Sequence, residues 1–326
     1  MKGQKTYWHL MSLGRKPTEY DIVTSRLLYH PQRGFEVNVP VAQWYERYQK
    51  DSILQCRDWE SFADPRRTTY SSYTTLQSQK EIFVGRLLRS IEQNGHDRHL
   101  DATWVARLLA HLCVLLHPFH GLQMQAAYIA QMAPSGRIAI AAMFQAADEI
   151  RRIERIAFRI RQLQRARPEF AARSGRQDWE QAAHWQPLRE VIERGLVTWD
   201  WGAALVMLDF VLKPALDGFL MLDLGRHAQA QGDDPLQRLF LSLNEDCEWH
   251  RQWSQALLAS ALRDRPEQRS ALETVLEQWL PPVAAAIATL AEHMEMTTEP
   301  SENRVHENWR QMLAQAKAQE SRTAVC

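Results

Sequence analysis

The chain has 326 residues, with 39 Lys plus Arg against 39 Asp plus Glu, and 45% of its residues are apolar. That apolar fraction supports a large folded core and excludes a disordered chain, while the balanced charge lacks the basic excess of a nucleic-acid footprint. A net charge near zero suits a subunit held in an assembly better than a free, highly soluble monomer.

Residues 1–40 read as an extended N-terminal arm. Pro17, Pro31, Gly34 and Pro40 punctuate it, and Tyr7, Trp8, Tyr20, Tyr29 and Phe35 recur in it without helical period. Such an arm lies across another surface, of this chain or of a partner. The first residues lack the apolar core of a signal peptide. A short helix near 41–49 follows. The spacing then predicts a helix over about 70–93, with Ile82, Leu87, Leu88 and Ile91 as its core stripe and Asn94-Gly95 as its stop.

A first helical hairpin spans about 102–165. Asp101 is the expected N-cap, and Pro134 with Gly136 turns the chain between its two helices. The longest apolar stretch, 108–116, contains His111 and is expected to stop at Pro118. No run of about 18 uninterrupted apolar residues occurs, so no membrane span is expected. In the outgoing helix Ile150, Ile153, Ala157 and Ile160 predict a core stripe, and Arg151, Arg155, Arg159 and Arg161 a basic surface toward the helix C-terminus. Residues 167–175 read as a linker. A helix opening at Asp178 runs toward Gly195, broken or restarted at Pro187.

A second hairpin spans about 196–262. Its apolar incoming helix is expected to kink at Pro214, breaks at Gln231-Gly-Asp-Asp-Pro235, and resumes through Asp246-Cys-Glu-Trp-His250. A last long helix runs from about Pro266 to Glu295, kinked at Pro281-Pro282. Residues 296–326 form a polar C-terminal tail with room for a short helix around 303–319.

Two antiparallel hairpins make a four-helix bundle, so the fold class is all-α. In di-iron carboxylate bundles each hairpin supplies one Glu and one Glu-x-x-His, all pointing inward. Here Glu149 is followed by Arg152 where the histidine would stand, and His250 is preceded by Cys247 where the glutamate would stand. No Asp or Glu occurs between Asp101 and Asp148. A hard, oxygen-preferring metal pair is not built from one Glu, one His and a cysteine. The four positions are degenerate, and no catalytic, metal-binding or cofactor-binding residue is assigned.

Other chemistry-bearing residues have plainer readings. Glu149 and Arg152 at i, i+3 make an ion pair, and His250 between Trp249 and Trp253 is a packed core histidine. Asp200 and Asp209 are the candidates for a vestigial fourth carboxylate, although Asp200 reads more simply as an N-cap. His117 and His120 flank Pro118 without a carboxylate nearby. Cys56, Cys113, Cys247 and Cys326 show no paired spacing and read as reduced thiols of a cytoplasmic protein. Neither a phosphate-cradling Gly-rich loop nor Gly-x-Ser-x-Gly is present. Twelve Trp suit both a core and an interface.

Several stretches together carry a family resemblance. They are Arg15-Lys-Pro-Thr-Glu-Tyr-Asp-Ile-Val23, Asp64-Pro65 with Tyr70, Leu122-Gln-Met124 with Tyr128 and Gln131-Met-Ala-Pro134, Trp199-Asp-Trp-Gly202, and Lys213-Pro214. On these the sequence resembles the β subunit of the hydroxylase component of bacterial multicomponent (soluble di-iron) monooxygenases, in the toluene and alkene branch. The resemblance implies a ferritin-like (ribonucleotide-reductase-like) domain over 41–295, between the arm and the tail. It implies a non-catalytic structural subunit that carries no cofactor itself. A di-iron centre is then expected in a catalytic α subunit, which inserts one oxygen atom of O2 into an aromatic or alkene hydrocarbon. Further implied partners are a small γ subunit in an α2β2γ2 hydroxylase, an effector protein, and components that deliver electrons from NADH. The alternative is a free-standing ferritin-like metalloenzyme with an unorthodox site or a reactive Cys247. The carboxylate-free stretch 102–147 speaks against it.

Overall fold

The computed structural model describes residues 8–25, 39–170 and 175–323, and the regular elements among these are all helices. The longer ones are α1 (Tyr70–Gln93), α2 (Ala102–Met132), α3 (Gly136–Ala166), α4 (Gln186–Leu196), α5 (residues 201–230), α6 (Asp234–Asp264), α7 (Arg269–His293) and α8 (Ser301–Thr323). Five of these starts, those of α1, α2, α3, α5 and α6, are written in the sequence as caps. Thr69, Asp101, Ser135, Asp200 and Asp233 each accept a hydrogen bond from a backbone N–H of the first turn. Gly95, just past α1, has φ 61, the left-handed conformation that glycine adopts without a Cβ penalty.

The two hairpins form as expected: α2 packs along α3, α5 along α6, and α3 meets α6 across the bundle. Helices α4 and α7 cover the outside of α2 and α5, and α8 lies along α6. Tyr128 of α2 donates to the carbonyl of Trp199 at 2.5 Å, and Ser52 donates to Asp200 at 2.8 Å, so two of the motif stretches meet at the start of α5.

Prolines interrupt less than the sequence suggested. Pro118 lies inside an unbroken α2; its missing N–H removes one ladder bond, and packing on both sides keeps the helix running. By length and composition α2 could cross a membrane, but 61% of its most apolar 18-residue stretch is buried in the fold. It is the core helix. Pro214 does not give a simple kink either. It sits in an α-helical segment, Lys213–Asp217, flanked by two π-helical stretches, Val206–Leu212 and Gly218–Asp223. Pro281 and Pro282 lie within α7.

Two predicted core stripes each have one member facing out; in α1, Leu88 and Ile91 are buried and Leu87 packs against the core. In α3, Ile150 is exposed, Ile160 is buried and Ile153 packs against the core, to which Ile138, Ile156 and Leu163 also contribute. Of the expected basic surface, Arg151 and Arg159 are buried in ion pairs while Arg161 is exposed. In α1, Ile82 is exposed and Val84 is buried. The short helix allowed for around 303–319 forms as the longer α8, which packs through Val305, Trp309 and Met312.

The described part of the arm is also ordered on its own chain. It contains a 3-10 helix at Trp8–Leu13 and an α-helix at Glu19–Thr24. Asp21 pairs with Arg15 at 2.7 Å and with buried Arg137 of α3 at 3.4 Å. Arg137 also donates to Ser25 and to the Phe62 carbonyl, and the Asp64 N–H donates to Tyr20. Tyr7, Tyr29, Pro31, Gly34 and Phe35 lie outside the described residues.

Candidate functional site

The centre of the bundle is charged, not apolar. Helix α3 supplies Glu149 and Arg152, α5 supplies Asp209, Lys213 and Asp217, and α6 supplies Cys247 and His250, all essentially inaccessible to solvent. Lys213 Nζ lies 2.5 Å from Glu149 Oε1 and 3.0 Å from Asp217 Oδ2. Arg152 Nη1 lies 2.8 Å from Asp217 Oδ1 and 3.4 Å from Glu149 Oε2, and its Nη2 donates to Cys247 Sγ at 2.6 Å. The Arg152 guanidinium sits 4.9 Å from the centroid of the Phe119 ring, so α2 offers this site a phenyl face and no carboxylate. Two cations thus face two carboxylates, and the set is electrically balanced.

Burial works against the charges of Lys213 and Arg152, but Asp217 and Glu149 outweigh it and hold both above their ordinary range. Burial likewise opposes ionisation of Asp217, and Arg152 and Lys213 overcome it, holding that carboxyl well below the usual range. Cys247 goes the other way: burial pushes its thiol up to about 12. A buried thiol held in that state is a poor nucleophile at neutral pH, which speaks against the reactive-cysteine reading.

A second layer surrounds the cluster. His250 Nε2 lies 3.0 Å from Asp148 Oδ2, whose other oxygen accepts from the Tyr73 hydroxyl and from Gln77 of α1. Burial raises the pKa of Asp148 and lowers that of His250. Asp246 accepts from Lys80 and Arg151. Helices α1, α3 and α6 are tied together at this level.

The four degenerate positions of the sequence, Glu149, Arg152, Cys247 and His250, do converge, and the expected Glu149–Arg152 pair is present. Asp200 caps α5, whereas Asp209 points into the bundle and accepts from Gln145 at 2.7 Å. Lys213 and Asp217 escaped the sequence reading as site residues. Their signal was a Lys and an Asp, four apart, within an apolar stretch, since such residues are rarely buried unless paired. His117 and His120 do not converge: His117 stacks on Trp179 and His120 faces solvent. A di-iron group does not fit this donor set. Lys213 holds Glu149, both cations hold Asp217, Arg152 caps the sulfur, and the positions between the carboxylates are taken by fixed positive charge.

Asp209 gives the site a pH signature. Burial pushes its pKa up to about 7, and its Oδ2 is buried without a hydrogen-bond partner. Because the folded value lies above the unfolded one, its contribution is fully present below about pH 4 and is lost as pH rises through 7. The swing is up to about 4 kcal/mol at about 1.4 kcal/mol per pKa unit. Asp209→Asn should therefore be more stable than the parent at pH 8 and nearly equal to it at pH 4, as read from urea midpoints.

Fold and site together define a ferritin-like helical bundle of the di-iron carboxylate type whose centre is filled by internal ion pairs. A profile of the Methane/Phenol/Alkene Hydroxylase family matches residues 42–265. The chain belongs to that family. It is 33% identical over 286 residues to the hydroxylase component subunit beta of the toluene-4-monooxygenase system of Ectopseudomonas mendocina, covering 86% of this chain and 87% of that one. It is 23% identical over 240 residues to the hydroxylase component small subunit of propane 2-monooxygenase from Mycolicibacterium smegmatis, covering 72% of this chain and 64% of the relative. In structure it matches a chain of toluene 4-monooxygenase, solved with toluene bound in the resting active site. That match has TM-score 0.85 and 31% identity and covers 90% of this chain and 99% of the other. Phenol hydroxylase from Pseudomonas sp. OX1 shares the fold, with TM-score 0.77 at 20% identity, over 97% of this chain and 94% of that one.

Proposed function

We propose that the chain is the non-catalytic structural β subunit of a di-iron hydrocarbon monooxygenase hydroxylase, acting on an aromatic or alkene substrate. The observation behind this reading is the pairing of Lys213 and Arg152 with Glu149 and Asp217, which puts protein cations where a catalytic paralogue would hold metal. In this reading the irons and the substrate pocket belong to a catalytic α subunit. A small γ subunit completes an α2β2γ2 assembly in the cytoplasm, and NADH-derived electrons and an effector protein act on the α subunit. This chain's role is to give that subunit a rigid surface to fold and dock against.

The outer face of α3 supports such a docking role. Met143, Ile150 and Phe158 recur there at i, i+7 and i+15, and all three are exposed although apolar. They account for the exposure of Ile150, because the helix has two apolar faces. Phe158→Glu is expected to leave the circular dichroism of the chain unchanged while weakening its co-purification with the catalytic subunit by at least about tenfold, the effect of about 1.4 kcal/mol at an interface. Undiminished co-purification would remove this face from the interface.

A further inference from the structure

We propose a zinc site at His111, His184 and His293. The three come from separate elements: His111 from α2, His184 from the 3-10 helix Ala183–Trp185, and His293 from the end of α7. One ligand atom from each lies within 4.8 Å of the other two. Zinc–nitrogen bonds of about 2.0–2.1 Å place tetrahedral ligand nitrogens about 3.3 Å apart; the His184 and His293 rings stack at 3.4 Å between centroids, so closing the cluster takes rotation of one of these two rings together with side-chain shifts of about 1 Å.

His111 is the anchoring residue. It is 2% exposed, and its Nδ1 lies 2.7 Å from the Arg107 carbonyl, which can only accept. The proton therefore sits on Nδ1 and leaves Nε2 as a lone-pair donor. That Nε2 is buried and has no hydrogen-bond partner. A histidine whose second nitrogen is held by a carbonyl has the usual outer-shell arrangement of a metal ligand. The remaining surroundings suit a cation as well. His293 is the last residue of α7, where the helix presents partial negative charge. The charge of Arg107 is offset by Glu295 at 2.8 Å. His293 is exposed, so a water can complete the coordination and the ion has an entry path. The ion would fasten α2 and α7 to the 183–185 turn, some way from the charge cluster, and this assignment is independent of the proposed function.

The test is zinc titration of the full, EDTA-treated chain against a chromophoric chelator, repeated with cobalt to read the coordination from its visible bands. The expected result is one equivalent of zinc, a four- or five-coordinate cobalt spectrum, and a zinc-dependent rise in the thermal midpoint. His293→Ala, at an exposed position, should weaken zinc binding at least as much as the roughly 10–100-fold that losing an outer-shell partner costs, and should abolish the thermal shift. His120→Ala, an exposed histidine elsewhere on α2, should change neither. Three results would overturn the assignment: no zinc retained, binding indifferent to both His293→Ala and His184→Ala, or binding lost equally in His120→Ala.

Discussion

Replacing Lys213 by Met is expected to destabilise the chain by about 3–5 kcal/mol, the usual cost of removing one partner from a buried ion pair. The side chain is 1% exposed and faces Glu149 and Asp217, both at 0%. Without it two buried carboxylates confront a single guanidinium. The loss comes from the uncompensated charge and not from the net strength of the pair, so a second change should restore much of it. Lys213→Met/Asp217→Asn leaves Arg152 facing Glu149 alone, and is expected to be clearly more stable than the single variant. Urea unfolding of the parent and both variants reads this directly. A single-variant loss under about 1 kcal/mol, the range of a surface pair, would mean that the cluster is hydrated and not a closed ion-pair core.

Arg159→Met should be comparably damaging, by about 3–5 kcal/mol at pH 8. Arg159 is fully buried, bonds both oxygens of Asp97 at 2.6 and 2.7 Å, and lies 3.5 Å from Asp233, which also caps α6. It joins α3 to the turn before α2 and to the start of α6. The pH dependence of the variant is informative. His96 lies 3.7 Å from Asp233, and the Asp233 carboxylate raises its pKa. A raised histidine contributes its stability below its unfolded value and loses it as pH rises through the folded value. Protonated His96 can then take over part of the missing charge, so the loss should be smaller at pH 5.5 than at pH 8. Arg161→Met, at an exposed position on the same helix, should stay within about 0.5 kcal/mol of the parent. Equal losses for the two variants would contradict the burial of Arg159.

The frame of the molecule was legible because it rests on local rules. Asp101, the Pro134–Gly136 turn and the apolar period placed the helices of the first hairpin within a residue or two, whereas the incoming helix of the second starts about five residues later than expected, after its cap at Asp200. The four degenerate positions followed from the spacing of an inward-facing motif. What periodicity could not show was which charged residues face inward. Arg151, Arg159, Asp148 and Asp246 look like a solvated helix face, and only the pairing of distant elements turns them into a buried network. Ile82 and Ile150 failed for the converse reason: an exposed apolar residue has the same signature in the sequence as one facing the core. Lys213 and Asp217 were hidden by their setting in an apolar helix read for its kink. Tyr20 and Asp21 were read as irregular although Thr18 and Asp21 form a local capping box; their contacts to Arg137 and the Asp64 N–H lie far along the chain and left no local sign.

The most direct test of the central claim is the iron content of the purified full-length chain after anaerobic loading with ferrous iron and treatment with a chelator. The account predicts far less than stoichiometric iron, and the same residual content in His250→Gln and Glu149→Gln as in the parent. Stoichiometric iron that survives chelation and is lost in both variants would contradict it, and would make the charge cluster of Glu149, Arg152, Lys213 and Asp217 a metal site in waiting.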